Sequence, residues 1–138
     1  MSKGRTQKRR PRVLIVDDAE DNRAIYAEYL AFTQRFDVET AVDGVDALEK
    51  VGVRAPDIVL MDLSLPRLDG WETTRRLRAD PKTAHICVIA LTGHGEAQYV
   101  DKARAVGVDE VLIKPVLPQE VVKEIDRHYA ASLHRSSE

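Results

Sequence analysis

Cysteine is almost absent from this chain. Cys87 is the only one among 138 residues, so no intrachain disulfide can form and a reducing compartment is the natural setting. It sits inside an apolar run and reads as a small core residue rather than a reactive thiol. Long apolar runs are lacking too: no stretch approaches the roughly 18 residues of a membrane helix. With no apolar segment behind the basic N-terminus, no secretory signal is read either, and a cytoplasmic protein without a membrane partner is expected. Acids are missing from the first twelve residues, where Lys3, Arg5, Lys8, Arg9, Arg10 and Arg12 supply six positive charges. The whole chain carries −2, which leaves −8 on residues 13–138. Residues 1–11 therefore read as a basic, flexible arm on an acidic domain. The arm has no aromatic residue and no DNA-binding motif, so nucleic acid is not expected as a partner.

What is present suffices for one packed domain. Hydrophobic residues make up 43% and charged residues 32%, and a chain of this length buries a full core without disulfides or a structural metal. The pattern alternates strand and helix five times. Strands are expected at 12–17, 36–41, 57–62, 86–91 and 110–113. Helices are expected at about 20–33, 45–53, 70–79, 95–106 and 118–131, leaving 132–138 frayed. Ile25, Tyr26, Tyr29 and Leu30 share one face of helix one. Val45, Leu48 and Gly52 are expected inside on helix two, and Val121, Val122, Ile125 and Tyr129 on helix five. Phe36, Val38 and Thr40 alternate with Asp37 and Glu39, which suits an edge strand, whereas 57–62 is apolar on both faces and suits a central one. Gly107 stands where a helix C-terminus favours glycine. Such alternation implies an α/β fold, a doubly wound parallel sheet with helices on both faces. The flavodoxin-like order 2-1-3-4-5 makes strands one and three neighbours at the switch point, where ligands bind. No repeat, linker or second domain is read.

Four of the apolar runs end on residues that can do chemistry. Val13-Leu14-Ile15-Val16 leads into Asp17-Asp18, and Ile58-Val59-Leu60-Met61 into Asp62. Cys87 to Leu91 leads into Thr92, and Val111-Leu112-Ile113 into Lys114-Pro115. In a parallel sheet these ends share one edge. Three clustered carboxylates repel unless a cation lies among them, and oxygen donors select a hard ion such as magnesium. Asp17-Asp18 as a helix cap explains one acid, not two facing a third. Asp62, at the end of the most buried strand, can attack phosphorus as a nucleophile. Lys114 and the Thr92 hydroxyl can neutralise phosphoryl oxygens, helped by backbone amides near Ser64 and Gly93. Thr92 as a helix cap and Lys114 as a surface lysine are the plainer readings of each residue alone.

The ordered set Val16-Asp17-Asp18, Met61-Asp62-Leu63, Leu65-Pro66-Arg67-Leu68-Asp69-Gly70, Ala90-Leu91-Thr92-Gly93 and Lys114-Pro115 resembles the response-regulator receiver domain of two-component signalling. The likeness covers about residues 12–130, with the domain itself at 12–131. It implies a phosphoprotein that accepts phosphate on Asp62 from a histidine kinase or histidine phosphotransfer protein. It implies Mg2+ as cofactor, with Asp17 assisting, Asp18 and Asp62 as direct ligands, and the Ser64 carbonyl as a further one. Thr92, Lys114 and the Gly93 amide would contact the phosphoryl group, and the Lys114–Pro115 bond would be cis. Ser64 and His94 hold positions that tune the lifetime of the aspartyl phosphate. The family implies slow self-dephosphorylation rather than conventional enzymatic turnover.

One departure concerns readout. The family often places an aromatic residue three before the lysine, and here that position is Val111. The threonine half of the switch is present and the aromatic half is not, so the loop after strand four is expected to move without a ring flip. The chain reads as a stand-alone receiver, a switch or phosphorelay intermediate acting through protein contacts on an unidentified target. Helix four, strand five and helix five carry Glu96, Lys102, Arg104, Glu110, Glu120, Lys123, Glu124 and Arg127. That face is a candidate for output or for a homodimer, although mixed charge is more often simply solvated. His85, His128 and His134 show no ligand spacing, so no transition-metal site is read. An aspartate phosphatase would need D-x-D-x-T after strand one; Asp17-Asp18-Ala19 lacks the acid/base residue. A phosphorylation-independent binding module of the same fold is the remaining alternative.

Overall fold

The computed structural model describes residues 10–63 and 69–136, with side chains to residue 133. The chain alternates β1 (Arg12–Val16), α1 (Glu20–Phe32), β2 (Asp37–Ala41), α2 (Gly44–Val53), β3 (Ile58–Asp62), α3 (Gly70–Ala79), β4 (Cys87–Thr92), α4 (Ala97–Ala105), β5 (Glu110–Ile113) and α5 (Pro118–Ser136). The strands form one parallel sheet in the order β2-β1-β3-β4-β5, the expected flavodoxin-like order.

Strand periodicity divides the core in two. Leu14, Val16, Val59, Met61, Val88 and Ala90 point to one face, where they meet Ala47 and Val51 of α2, Leu77 of α3 and Ala103 of α4. Val13, Ile15, Ile58, Leu60, Ile89 and Leu91 point to the other, against Tyr26 and Leu30 of α1 and Val121, Val122 and Ile125 of α5. Every residue of β3 is buried, as a central strand covered on both faces requires. Fully burying each such aliphatic side chain contributes roughly 1.5–3 kcal/mol relative to exposure.

Local chemistry sets the helix ends. Asp43 accepts from the Asp46 amide at 2.8 Å and Asp69 from the Glu72 amide at 2.8 Å, capping α2 and α3. Gly107, at φ 112°, closes α4: its amide bonds to the Arg104 carbonyl and the Val108 amide to that of Ala103.

Three expectations need correction. The buried face of α2 is Gly44, Ala47 and Val51 with Leu48 beside it, whereas Val45 and Gly52 are exposed. Ile25 likewise turns outward from α1. Residues 132–136, expected to fray, instead continue α5, which runs on to Ser136; residues 131–136 contain alanine, leucine and arginine and no glycine or proline to stop it. Residues 1–9 of the basic arm, and residues 137–138, lie outside the described residues. Its last residue, Pro11, accepts a hydrogen bond from the Asp37 amide and so joins the sheet edge.

Candidate functional site

Parallel pairing brings the strand ends together. Val16 lies opposite Met61, Asp62 opposite Leu91, and Thr92 opposite Ile113. Asp17, Asp62, Thr92 and Lys114 therefore line one edge of the sheet. A carboxylate oxygen from each of Asp17, Asp18 and Asp62 lies within 4.8 Å of the other two. Asp17 and Asp62 are buried and Asp18 is exposed.

Asp17 is the residue under most electrostatic pressure. Its Oδ1 accepts from the Ala19 amide at 2.9 Å. Its Oδ2 is buried and has no hydrogen-bond partner among the described residues. Burial pushes its carboxyl above the ordinary range, and the charges of Asp62 and Asp18 add to the effect; the Ala19 amide and Lys114 oppose it. A buried carboxylate oxygen without a donor is costly unless a cation meets it. Three oxygen-donor acids and this orphaned atom fit a hard divalent ion such as magnesium.

The cation and the hydroxyl approach from the other side. Lys114 Nζ stands 3.4 Å from Asp62 Oδ2. The Lys114 amide donates to the Thr92 carbonyl at 2.8 Å, and the Lys114–Pro115 bond is cis. Thr92 is buried, and its Oγ1 accepts from the His94 amide at 3.0 Å, which leaves the hydroxyl proton to donate elsewhere. Nothing stands within 4 Å of where a Cβ would sit on Gly93. Ser64, expected as a carbonyl ligand and tuning residue, lies outside the described residues.

His94 is exposed, and its ring lies 4.8 Å from that of Tyr99, which meets Trp71 edge-on at 5.0 Å. The Lys102 ammonium sits over Trp71 at 5.5 Å. Val111 packs, partly buried, against the same core cluster as Trp71 and Tyr99.

Two contacts beside the site went unread in the sequence. Arg23 Nη1 donates to the Asp17 carbonyl at 2.8 Å, and no pattern marks a backbone oxygen as an arginine's target. The Tyr26 hydroxyl donates to the Val116 carbonyl at 2.8 Å. Burial, then the Asp17 charge, pushes that phenol up, so it remains a donor. The available signal was the rule that a buried tyrosine hydroxyl takes a partner.

The other acidic cluster is filled from within. Ligand atoms of Glu110, Glu124 and His128 lie within 4.8 Å of one another. The Arg127 guanidinium bonds to both glutamates at 2.7 Å and supplies the cation, making an ion-pair network on the β5–α5 face.

Comparison with known proteins agrees with this geometry. A family model described as the response regulator receiver domain matches residues 13–126. Protein PilG of Pseudomonas aeruginosa is 34% identical over 117 residues, covering 85% of this chain and 86% of that protein. The DNA-binding dual master transcriptional regulator RpaA of Synechocystis is 35% identical over 118 residues, covering 83% of this chain but 47% of that protein. The chain spans half or less of the length of several curated relatives it matches. Among solved structures, the Vibrio cholerae chemotaxis protein CheY4 superposes with a TM-score of 0.81 at 28% identity, over 86% of this chain and 98% of that one.

Proposed function

The chain belongs to the response regulator receiver domain family, and on that premise we propose that Asp62 accepts a phosphoryl group from a phosphohistidine on a histidine kinase or histidine phosphotransfer protein. The carrying observation is the convergence of Asp17, Asp18 and Asp62 with Lys114 3.4 Å from the Asp62 carboxylate. An Asp62 oxygen forms the new O–P bond as the donor N–P bond breaks, and the electron pair leaves with the imidazole nitrogen, which takes a proton from solvent. Lys114 neutralises one phosphoryl oxygen, and the Thr92 hydroxyl and Gly93 amide donate to others. Asp17, Asp18 and Asp62, with the Ser64 carbonyl, would hold Mg2+, which when bound neutralises phosphoryl charge. Asp17 suits such an acidic cluster, since its buried Oδ2 has no donor among the described residues.

The aspartyl phosphate decays when water attacks phosphorus and the Asp62 carboxylate leaves, releasing inorganic phosphate. Ser64 and His94 tune that rate, and turnover stays slow, as a signal requires and a conventional enzyme does not. No described helix is long and apolar enough to cross a membrane, and the proposed setting is cytoplasmic. Output passes by protein contact, with the α4–β5–α5 face the candidate surface for a target or a second copy.

Intact mass after incubation with phosphoramidate and Mg2+ tests this reading. One phosphoryl adduct is expected, absent without the metal and absent in Asp62→Asn. No adduct in the wild type, or an adduct that survives Asp62→Asn, overturns it. Rapid multiple turnover of an unrelated phosphomonoester supports a phosphatase instead.

A further inference from the structure

Two long-range hydrogen bonds flank the Lys114 side chain. On its upstream side the Lys114 amide donates to the Thr92 carbonyl at 2.8 Å. Downstream, two residues on, the Val116 carbonyl accepts from the Tyr26 hydroxyl at 2.8 Å. The second tie crosses 90 positions of sequence and comes from α1, the helix that follows Asp17 and Asp18. Tyr26 is 8% exposed, so its ring is fixed in the core and its hydroxyl has a defined position. Val116 also packs against the α1–α5 core layer, and the Leu117 amide donates to Glu120 Oε1 at 3.3 Å, although the Leu117 side chain is 59% exposed.

We propose that Tyr26 is a positioning residue for phosphoryl transfer, holding the Val116 carbonyl so that the Lys114 ammonium is aimed at the phosphoryl group on Asp62. The inference rests on the phosphoacceptor reading given above. Neutralisation by a point charge on a flexible stem depends on where the stem is anchored. Without the hydroxyl, the upstream bond to Thr92 still tethers Lys114 and the start of α5 still holds Leu117, but the Val116 carbonyl between them loses its donor and the peptide that follows Lys114 is less tightly fixed. Tyr26 touches none of the reacting atoms and acts through Lys114 alone. Phenylalanine at this position keeps the ring in the core and removes only the donor.

The test is a cycle of four proteins: wild type, Tyr26→Phe, Lys114→Ala and the double variant. Phosphorylation of Asp62 by phosphoramidate is followed at saturating Mg2+ over a range of donor concentration. Tyr26→Phe is expected to lower the limiting rate about five- to tenfold, with the half-saturating donor concentration unchanged within about twofold. In the Lys114→Ala background the same substitution is expected to change the rate by less than about twofold, because its intermediary is gone. An equal effect in both backgrounds shows a general structural role and overturns the proposal, as does a Tyr26→Phe rate equal to wild type. Magnesium binding, followed by titration, is expected to be the same in Tyr26→Phe and wild type; a loss there assigns Tyr26 to the acidic cluster and also overturns it. A wild type that takes no phosphate overturns the phosphoacceptor reading itself, an outcome distinct from these.

Discussion

A Cβ on Gly70 would sit 2.6 Å from the Asp62 carbonyl oxygen and 2.9 Å from Leu63 Cα. The first turn of α3 thus lies directly on the end of the strand that terminates at Asp62, and only glycine permits the approach. Both obstructing atoms are backbone, so alanine forces the helix and strand apart. Gly70→Ala is expected to cost about 2 kcal/mol in urea denaturation and to slow phosphorylation of Asp62. Gly52, on α2, is the control: nothing lies within 4 Å of its Cβ position, and Gly52→Ala is expected to stabilise by roughly 0.5 kcal/mol. A tolerated Gly70→Ala with unchanged phosphorylation would contradict the packing argument.

On the proposed reading, Lys114 is expected to act on the metal as well as on phosphate. Its ammonium, 3.4 Å from Asp62, partly neutralises the charge a divalent ion would be drawn to. Lys114→Ala is therefore expected to lower the half-saturating Mg2+ concentration by a few-fold, on the order of 1 kcal/mol, the size of a unit-charge interaction about 4 Å apart screened by bulk water. Phosphorylation of the same variant is expected to slow by about tenfold or more. Calorimetric metal titration and intact mass read the two effects separately. Weaker magnesium binding in Lys114→Ala would show that the lysine organises the acids rather than competing for them.

On the proposed reading, a chain of contacts could carry readout without an aromatic residue at 111. Thr92 accepts the His94 amide, His94 lies against Tyr99, and Tyr99 meets Trp71 edge-on. Trp71 is the only tryptophan in the chain, so its emission reports on this stack. Fluoroberyllate with Mg2+ is expected to change Trp71 emission, and Tyr99→Ala to abolish most of that change. If crystals with the bound mimic showed residues 92–98 unmoved, the loop after β4 would not carry the signal.

The sheet and the reactive edge were legible because strand period and strand-end chemistry are both local. Val59 and Met61 face one layer and Ile58 and Leu60 the other, and the run they form ends on Asp62. The inner face of α2 was misread because Ala47 buries little surface and Val45 is the more hydrophobic residue, yet it is Ala47 that the helix turns inward. The extent of α5 was underestimated because no glycine or proline marks its end. The bonds made by Tyr26 and Arg23 escaped because their acceptors are backbone carbonyls, at Val116 and Asp17, and a carbonyl has no signature in sequence.

Arg78 belongs to the same class and supplies a stability prediction. Its guanidinium donates to the carbonyls of Gly107, Ala84 and Ile86 and pairs with Asp109 at 2.8 Å. It therefore joins α3, the entry to β4 and the turn before β5 through a single planar group. Arg78→Ala leaves several carbonyls unmet and is expected to cost about 2–3 kcal/mol. Arg78→Lys is expected to recover less than half of that, since an ammonium cannot span the same fork. Denaturant midpoints that match wild type in Arg78→Lys would refute the role of the fork.

Asp17 makes the stability of the metal-free protein depend on pH in an unusual sense. Burial holds its folded-state pKa above the ordinary 3.8, so the folded state keeps the Asp17 proton more tightly than the unfolded chain does. Below 3.8 both states are protonated and the Asp17 contribution is fully present. As pH rises through the folded value, the folded state has to ionise a buried group, and that stability is lost. Asp17→Asn removes the ionisation and keeps an oxygen for the Ala19 amide. With chelator present, the variant is expected to exceed wild type by roughly 1–2 kcal/mol at neutral pH, and the difference is expected to shrink as the solution is acidified. Magnesium is expected to reverse the order, because on the proposed reading it binds the folded state with Asp17 ionised and so stabilises wild type more than the variant. Urea unfolding of both proteins from about pH 4 to about pH 7.5, with chelator and with Mg2+, measures each limb. Parallel curves in chelator would mean that Asp17 ionises as easily in the fold as outside it.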